Sequence, residues 1–245
     1  MYHGKVRPRT GHDILVRETS NIAMRKLKIP ANLTVLAYES IKQYILEGKL
    51  DGDARLTEEY LATQLGISKS PIREALNRLE AEGLIRIEPR RGAYLQAFSN
   101  QDISDLYDLR EALENHVVRT AKVTPELVLE LRQTIRKMRK YLKENDRARY
   151  IEEDMRFHAE LAEATGNARL RKVLENVQNQ IWIFRRKTYD LSSSSGADQH
   201  EEILLALEND DRAKAEKAMR DHIGNVRRKL LEFLQAQQKA GSAAV

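Results

Sequence analysis

From Ser99 onward the chain has no run of strand period; its apolar residues recur three and four positions apart, which commits this stretch to amphipathic helices. The periodicity predicts six segments, about 99–122, 125–144, 147–165, 168–190, 197–209 and 211–237. Ser99 followed by Asp102 has the form of a capping box, and Thr124-Pro125 and Gly166-Asn167 mark breaks. Ser192 to Gly196 has no periodicity of its own and reads as a flexible connector. No internal repeat is found.

The N-terminal part is patterned differently. Leu33, Leu36, Ile41, Tyr44 and Ile45 give a helix face that ends at Gly48, before the turn Asp51-Gly52-Asp53. Thr57 to Gly66 reads as a short helix stopped by its glycine, and Ser68 caps a second helix running to Gly83. Two helices joined by a short glycine-containing turn form a helix-turn-helix. Leu84 to Glu88 then alternates, Pro89-Arg90-Arg91-Gly92 turns, and Ala93 to Gln96 returns as the second strand of a hairpin, or wing. The fold expected is mainly α: a flexible basic arm over 1–33, a winged helix-turn-helix over 34–98, and an all-helical domain over 99–240. Within the arm, Ile14, Leu15, Val16 and Ile22 suffice for a short helix, and the arm reads either as a disordered tail or as a DNA contact.

Composition narrows the function. With 245 residues and 41% apolar content, the chain can bury two cores. It contains no cysteine, which excludes disulfides, thiolate metal sites and cysteine nucleophiles, so any metal must sit on His, Asp or Glu. No apolar run approaches the roughly 18 residues of a membrane span, and the opening MYHGKVRPRT lacks the apolar core of a secretory signal. A soluble, cytoplasmic protein is expected. The net charge is +5, and residues 1–98 carry 16 Lys and Arg against 12 Asp and Glu, leaving 26 against 25 for the rest. A basic half joined to a near-neutral half suits a DNA-binding module fused to a sensor.

On the second helix of the pair, Ile72, Leu76 and Leu79 form the packing stripe, so Lys69, Ser70, Arg73 and Asn77 face outward. Side chains with paired donors read base edges, and any cation contacts phosphate; the alternative is an ordinary charged solvent face. Arg90 and Arg91 at the hairpin tip, beside Gly92, tip the balance towards double-stranded DNA, because they can enter a minor groove or clamp phosphates. The run LTEEYLATQLGISKSPIREALNRLEAEGLIRIEPRRGAYL resembles the winged helix-turn-helix of GntR-type bacterial regulators over about 60 residues. The resemblance implies that Lys69, Ser70 and Arg73 face an operator and that Gly92 belongs to the wing. Lys69 stands where many members have Arg, and Glu59 where some carry a base-reading Arg, so operator preference does not transfer.

Three of the six histidines fall where a core helix normally has leucine. Ile151, Asp154, His158, Leu161 and Thr165 share a stripe; His200 lies with Ile203, Leu204 and Leu207, and His222 with Met219, Ile223 and Val226. One inward histidine is ordinarily a satisfied core residue, but three with an aspartate suit Zn²⁺, Ni²⁺, Mn²⁺ or Fe²⁺ with a coordination position left open for a carboxylate. Arg110, on the stripe of Leu106, Leu113 and Val117, either contacts such a carboxylate or pairs internally with Glu114. Gln178 and Arg185, near Leu174, Ile181 and Phe184, are further effector-contact candidates.

The segments Asp108-Leu109-Arg110-Glu111-Ala112-Leu113-Glu114, Asp154-x-x-Phe157-His158, His200-Glu201-x-Ile203 and His222-Ile223 resemble the FCD effector-binding domain of the FadR subfamily, and six helices resemble its VanR-like branch. That domain typically holds a metal through one Asp and three His, which implies Asp154, His158, His200 and His222 as ligands. Members respond to sugar acids, hydroxy acids, dicarboxylates or fatty acyl groups. The implied function is a homodimeric regulator that grips a near-palindromic operator and changes the spacing of its reading heads when a small carboxylate binds. Competing readings are a His₃Asp metalloenzyme and a constitutive DNA-binding protein without an effector. Against an enzyme, no general base stands beside the ligand set, and a winged helix would have no role.

Overall fold

The computed structural model describes residues 33–50 and 54–242. The expected basic arm, except for Leu33, and the turn 51–53 lie outside the described residues. Helix α1 (Leu33–Leu46) is followed by a two-residue strand β1 (Arg55–Leu56), then α2 (Glu58–Leu65) and α3 (Lys69–Ala81). Thr57 caps α2 by accepting from the Tyr60 amide, and Gly66 ends it at φ +65°, a left-handed conformation that a glycine adopts without strain. Ser68 does occupy the N-cap of α3 with extended backbone, but its side chain makes no cap hydrogen bond.

Strands β2 (Ile85–Glu88) and β3 (Gly92–Leu95) pair antiparallel as the expected hairpin. β1 adds to the free edge of β3, giving the order β1-β3-β2. Two residues are too short to display alternation, so nothing in the periodicity announced β1. Tyr38, Ile41, Ile72, Leu79 and Leu84 are central to the core of this half. On α1 the expected face is rotated: Ala37, Tyr38, Ile41 and Ile45 are buried, whereas Leu33 and Leu36 are exposed.

The remainder is helical: α4 (Asn100–Thr120), α5 (Pro125–Lys143), α6 (Arg147–Glu163), α7 (Ala168–Glu208) and α8 (Arg212–Ser242). Ser99 and Asp102 form the capping box of α4. The described residues thus hold five helices in this half rather than six, because the segments expected at 168–190 and 197–209 are one helix of 41 residues. The supposed connector Ser192 to Gly196 is its middle. Serine and glycine are weak helix formers, but tertiary packing overrides propensity here. Ser192 and Ser193 are buried, the Tyr150 hydroxyl donates to the Ser193 carbonyl at 2.9 Å, and that hydroxyl lies where a side chain on Gly196 would begin. The small residues are what let α6 and α7 approach.

α7 also supports the N-terminal half. The Trp182 indole N–H donates to the Leu46 carbonyl at 2.6 Å and Gln180 donates to the Glu82 carbonyl at 3.0 Å, while Lys42 pairs with Glu175 at 3.0 Å. Leu46 ends α1 and Glu82 caps α3. The last carbonyls of a helix have no partner inside it, so these two side chains satisfy orphan acceptors while fixing the helix ends to α7.

Glycine-to-alanine changes separate the two environments. Gly224→Ala on α8, where a Cβ meets nothing within 4 Å, is expected to stabilise the protein by about 0.5–1 kcal/mol, the helix-propensity gain. Gly196→Ala drives a methyl into Tyr150, at an overpacking cost of roughly 1–3 kcal/mol that exceeds the same gain. Denaturant melts should show opposite signs, and Tyr150→Phe should make the Gly196→Ala change less costly.

Candidate metal centre and nucleic-acid interface

α6 carries Asp154 and His158 one turn apart, α7 brings His200, and α8 brings His222. All four are buried, and one ligating atom from each lies within 4.8 Å of the others. The second ring nitrogen of each histidine is engaged. His158 Nδ1 bonds to Glu114 Oε2, His222 Nδ1 is 3.1 Å from Gln199 Oε1, and His200 Nδ1 is 3.3 Å from Met138 Sδ. The His200 ring stacks on Phe157 with centroids 4.2 Å apart.

The hydrogen bonds fix the tautomers. Arginine can only donate, and Arg110 Nη2 lies 2.8 Å from His158 Nε2, so Nε2 is the acceptor and Nδ1 carries the proton shared with Glu114. Burial pushes His200 down to about 3 and His222 well below the ordinary histidine range, so both rings are neutral at pH 7. The 3.8 Å approach of His200 Nε2 to Asp154 Oδ1 is then no ion pair. Nδ1 of His200 and of His222 are turned to Met138 and Gln199, and the two Nε2 atoms face each other at 3.3 Å. Asp154 Oδ1 is buried without a hydrogen-bond partner. Three imidazole nitrogens and an orphaned carboxylate oxygen converging in an apolar bundle fit a divalent transition cation, and the outer contacts to Glu114 and Gln199 are those that orient histidine ligands.

Two guanidiniums border the cluster. Arg185 pairs with Asp154 Oδ2, and Arg110 Nε donates to Glu114 Oε1 at 2.8 Å. Burial would raise both carboxyls. Arg185 nevertheless holds Asp154 well below the carboxylate range, and His158 with Arg110 lowers Glu114 to about 2. Burial opposes the Arg185 charge, but Asp154 outweighs it and raises the guanidinium further. Arg110, Gln178 and Arg185 line one small cavity with Asp154 and His158, and Gln178 Nε2 is buried there without a partner. The internal pair of Arg110 with Glu114, one of its two expected roles, is therefore formed. Gln199, Met138 and Trp182 escaped sequence reasoning; Trp182 carried one overlooked signal as the single tryptophan of the chain.

On the N-terminal half, Lys69, Ser70, Arg73 and Asn77 are all exposed on α3, as expected. Lys69, Arg73 and Asn77 share a cleft of about 440 Å³ with Arg90, Arg91 and Gly92 of the wing tip; Ser70 lies outside its lining. Gly92 has φ +120°, and a Cβ there would lie 2.8 Å from the Leu56 carbonyl oxygen, so the junction of the wing with β1 requires glycine. Arg73 is held by both oxygens of Glu58 at 2.7 Å, Lys69 Nζ is 3.8 Å from Glu59, and Arg91 pairs with Glu88 at 3.1 Å. These carboxylates were not foreseen as partners, although two acids in the first turn of α2 were visible.

A winged helix-turn-helix set on a helical bundle with a buried polar centre defines a DNA-binding transcriptional regulator. Residues 33–95 match the family model "Bacterial regulatory proteins, gntR family", and residues 105–225 match the "FCD domain". The chain belongs to the gntR family of bacterial regulators, with an FCD domain as its C-terminal part. It is 34% identical over 130 residues to an HTH-type transcriptional regulator of Agrobacterium vitis, covering 51% of this chain and 76% of that protein. It is 27% identical over 218 residues to the gluconate operon transcriptional repressor of Bacillus subtilis (strain 168), covering 85% of this chain and 89% of the relative. Among solved structures, a GntR transcriptional regulator from Rhodococcus sp. RHA1 has the same fold, with TM-score 0.72 at 20% identity over 81% of this chain and 97% of that one. Among the described residues, no helix is long and apolar enough to cross a membrane.

Glu114 offers a test of the cluster's internal balance. Glu114→Ala leaves the Arg110 charge and the His158 Nδ1 proton buried without an acceptor, and should cost about 3–5 kcal/mol in urea melts, as loss of one partner of a buried pair does. A loss below 1 kcal/mol would contradict the pairing described.

Proposed function

We propose that this regulator senses a small carboxylate at a divalent-metal centre held by Asp154, His158, His200 and His222, and that the bound state sets how its reading heads meet an operator. The observation that carries the reading is the meeting of four buried ligand atoms within 4.8 Å, one of them an unpartnered carboxylate oxygen. A bound Zn²⁺, Ni²⁺, Mn²⁺ or Fe²⁺ would supply charge and an open coordination position for an anion. Arg185 and Arg110 serve as the anion's second contact. In the structure Arg185 pairs with Asp154 Oδ2, while Arg110 donates to Glu114 and to His158 Nε2; once His158 Nε2 turns to a cation, the Arg110 N–H that faced it needs a replacement acceptor. Gln178 contributes the free amide N–H. D-Gluconate is the first acid to test, because a relative is named for the gluconate operon.

The domain division follows the same logic: a basic arm ahead of α1, a reading head over 34–98 and a sensing, dimerising domain over 99–240. Two heads in a homodimer suit a near-palindromic operator in double-stranded DNA, with Lys69, Ser70, Arg73 and Asn77 on α3 facing the major groove and Arg90, Arg91 and Gly92 on the wing meeting the flanking backbone. An effector shifts this equilibrium only if it binds one arrangement of heads better than the other.

Two experiments test the halves separately. Metal analysis of purified wild type is expected to find about one divalent transition metal per chain, and D-gluconate or another small hydroxy acid should raise the melting temperature of the loaded protein. His200→Ala/His222→Ala should lose both metal and thermal shift; stoichiometric metal in the double variant would remove these residues as ligands. For the head, Arg73→Ala should weaken binding to the protein's own promoter fragment tenfold or more. Glu58→Gln, which releases Arg73 from its carboxylate, should tighten binding and steepen its salt dependence. Unchanged mobility-shift titrations for both variants would remove Arg73 from the contact surface.

A further inference from the structure

The cavity enclosed by Arg110, Asp154, His158, Gln178 and Arg185 measures about 10 Å³, at or below the space of a single water. Beside it, between α1 and the α6–α7 pair, opens a cleft of about 670 Å³. Ile151, Met155 and Trp182 line both, and so form the wall between them. Ile151 is a core side chain, only 2% exposed and fixed by the bundle. Trp182, 8% exposed, packs in the same core but is also tied outside it. It sits on α7 one turn from both Gln178 and Arg185, so its face is the face of the buried centre. Its indole N–H is tied across the cleft to the carbonyl of Leu46, the last residue of α1.

We propose that this cleft is the entrance to the buried centre and that Trp182 is its gate. The proposal rests on the metal-centre reading above. Swinging the indole towards the cleft removes the largest side chain of the wall, while Ile151 and the rest of the bundle stay in place. The move breaks one hydrogen bond, and that bond is a tie between the sensing domain and α1 of the reading head. Entry to the centre therefore loosens the same contact that positions α1. Met155, half-buried and unbranched, can yield beside the ring.

The test uses the full-length protein, Zn²⁺ as the probe, and a colorimetric chelator to follow loading and stripping by stopped flow. A gate changes rates in both directions equally and leaves their ratio alone. Trp182→Ala is expected to load and lose Zn²⁺ at least tenfold faster than wild type, with a dissociation constant within twofold. Trp182→Phe, which keeps an aromatic ring but loses the N–H, should lie between. Met155→Ala opens the wall from α6 and carries the test if Trp182→Ala fails to fold, as judged by circular dichroism. Zn²⁺ bound by the variants at wild-type rates would overturn the gate and leave the metal centre standing. Faster stripping alone, with weakened affinity, would show Trp182 to be a structural support and would also overturn it. No Zn²⁺ bound by wild type would overturn the metal centre and the gate together.

Discussion

The C-terminal half is governed by the cost of burying charge. Asp154, Glu114, Arg110 and Arg185 all lie within a helical bundle with three imidazoles, and each is 7% exposed or less. Moving such groups out of water is costly unless every charge finds a partner of good geometry. The bundle provides those partners in a chain from Glu114 through Arg110 and His158, and from Asp154 to Arg185. The facing imidazole nitrogens and one unpartnered carboxylate oxygen are left at the centre. A core of leucines in the same positions would be simpler to stabilise, so the arrangement makes sense as a site that sacrifices stability for binding.

The same economy appears on the surface shared by α3 and the wing, at lower stakes. Arg73, Lys69 and Arg91 are exposed, and each has a carboxylate within reach on its own chain. In high dielectric such pairs contribute little to stability. In the DNA-contact reading proposed above, a phosphate competes with Glu58 for Arg73, which moderates non-specific attraction, while a bidentate contact to a base edge still repays breaking the pair.

Much of this was legible in the sequence, and the failures have physical causes. The hairpin, the two short helices and the inward positions of Asp154, His158, His200 and His222 followed from period alone, because a polar residue on an apolar stripe has nowhere else to point. Glu114 was visible as a neighbour of Arg110, but its bond to His158 joins residues 44 apart and no local pattern encodes that. Strand β1 was too short to alternate. Ser192 to Gly196 read as a connector because serine and glycine favour turns in isolation; their small size mattered more, since it lets Tyr150 approach α7. Leu33 and Leu36 were assigned to the buried face of α1 because they are leucines, whereas the helix turns Ala37 and Tyr38 inward.

Merging two expected helices into one alters how the halves can communicate. At about 1.5 Å per residue, α7 extends for about 60 Å as a single rod. Along it lie Glu175, Gln180 and Trp182, which hold α1 and α3, interleaved with Gln178 and Arg185 at the small cavity, and farther on His200 at the centre. A flexible connector at Ser192 would have let His200 shift without moving Trp182. With the helix continuous and Gly196 closed against Tyr150, a displacement at the centre is shared with the residues that grip the reading head. Interfaces and packed cores switch between discrete arrangements rather than deforming smoothly, and the one helix that carries His200 and Arg185 also carries the contacts to the ends of α1 and α3.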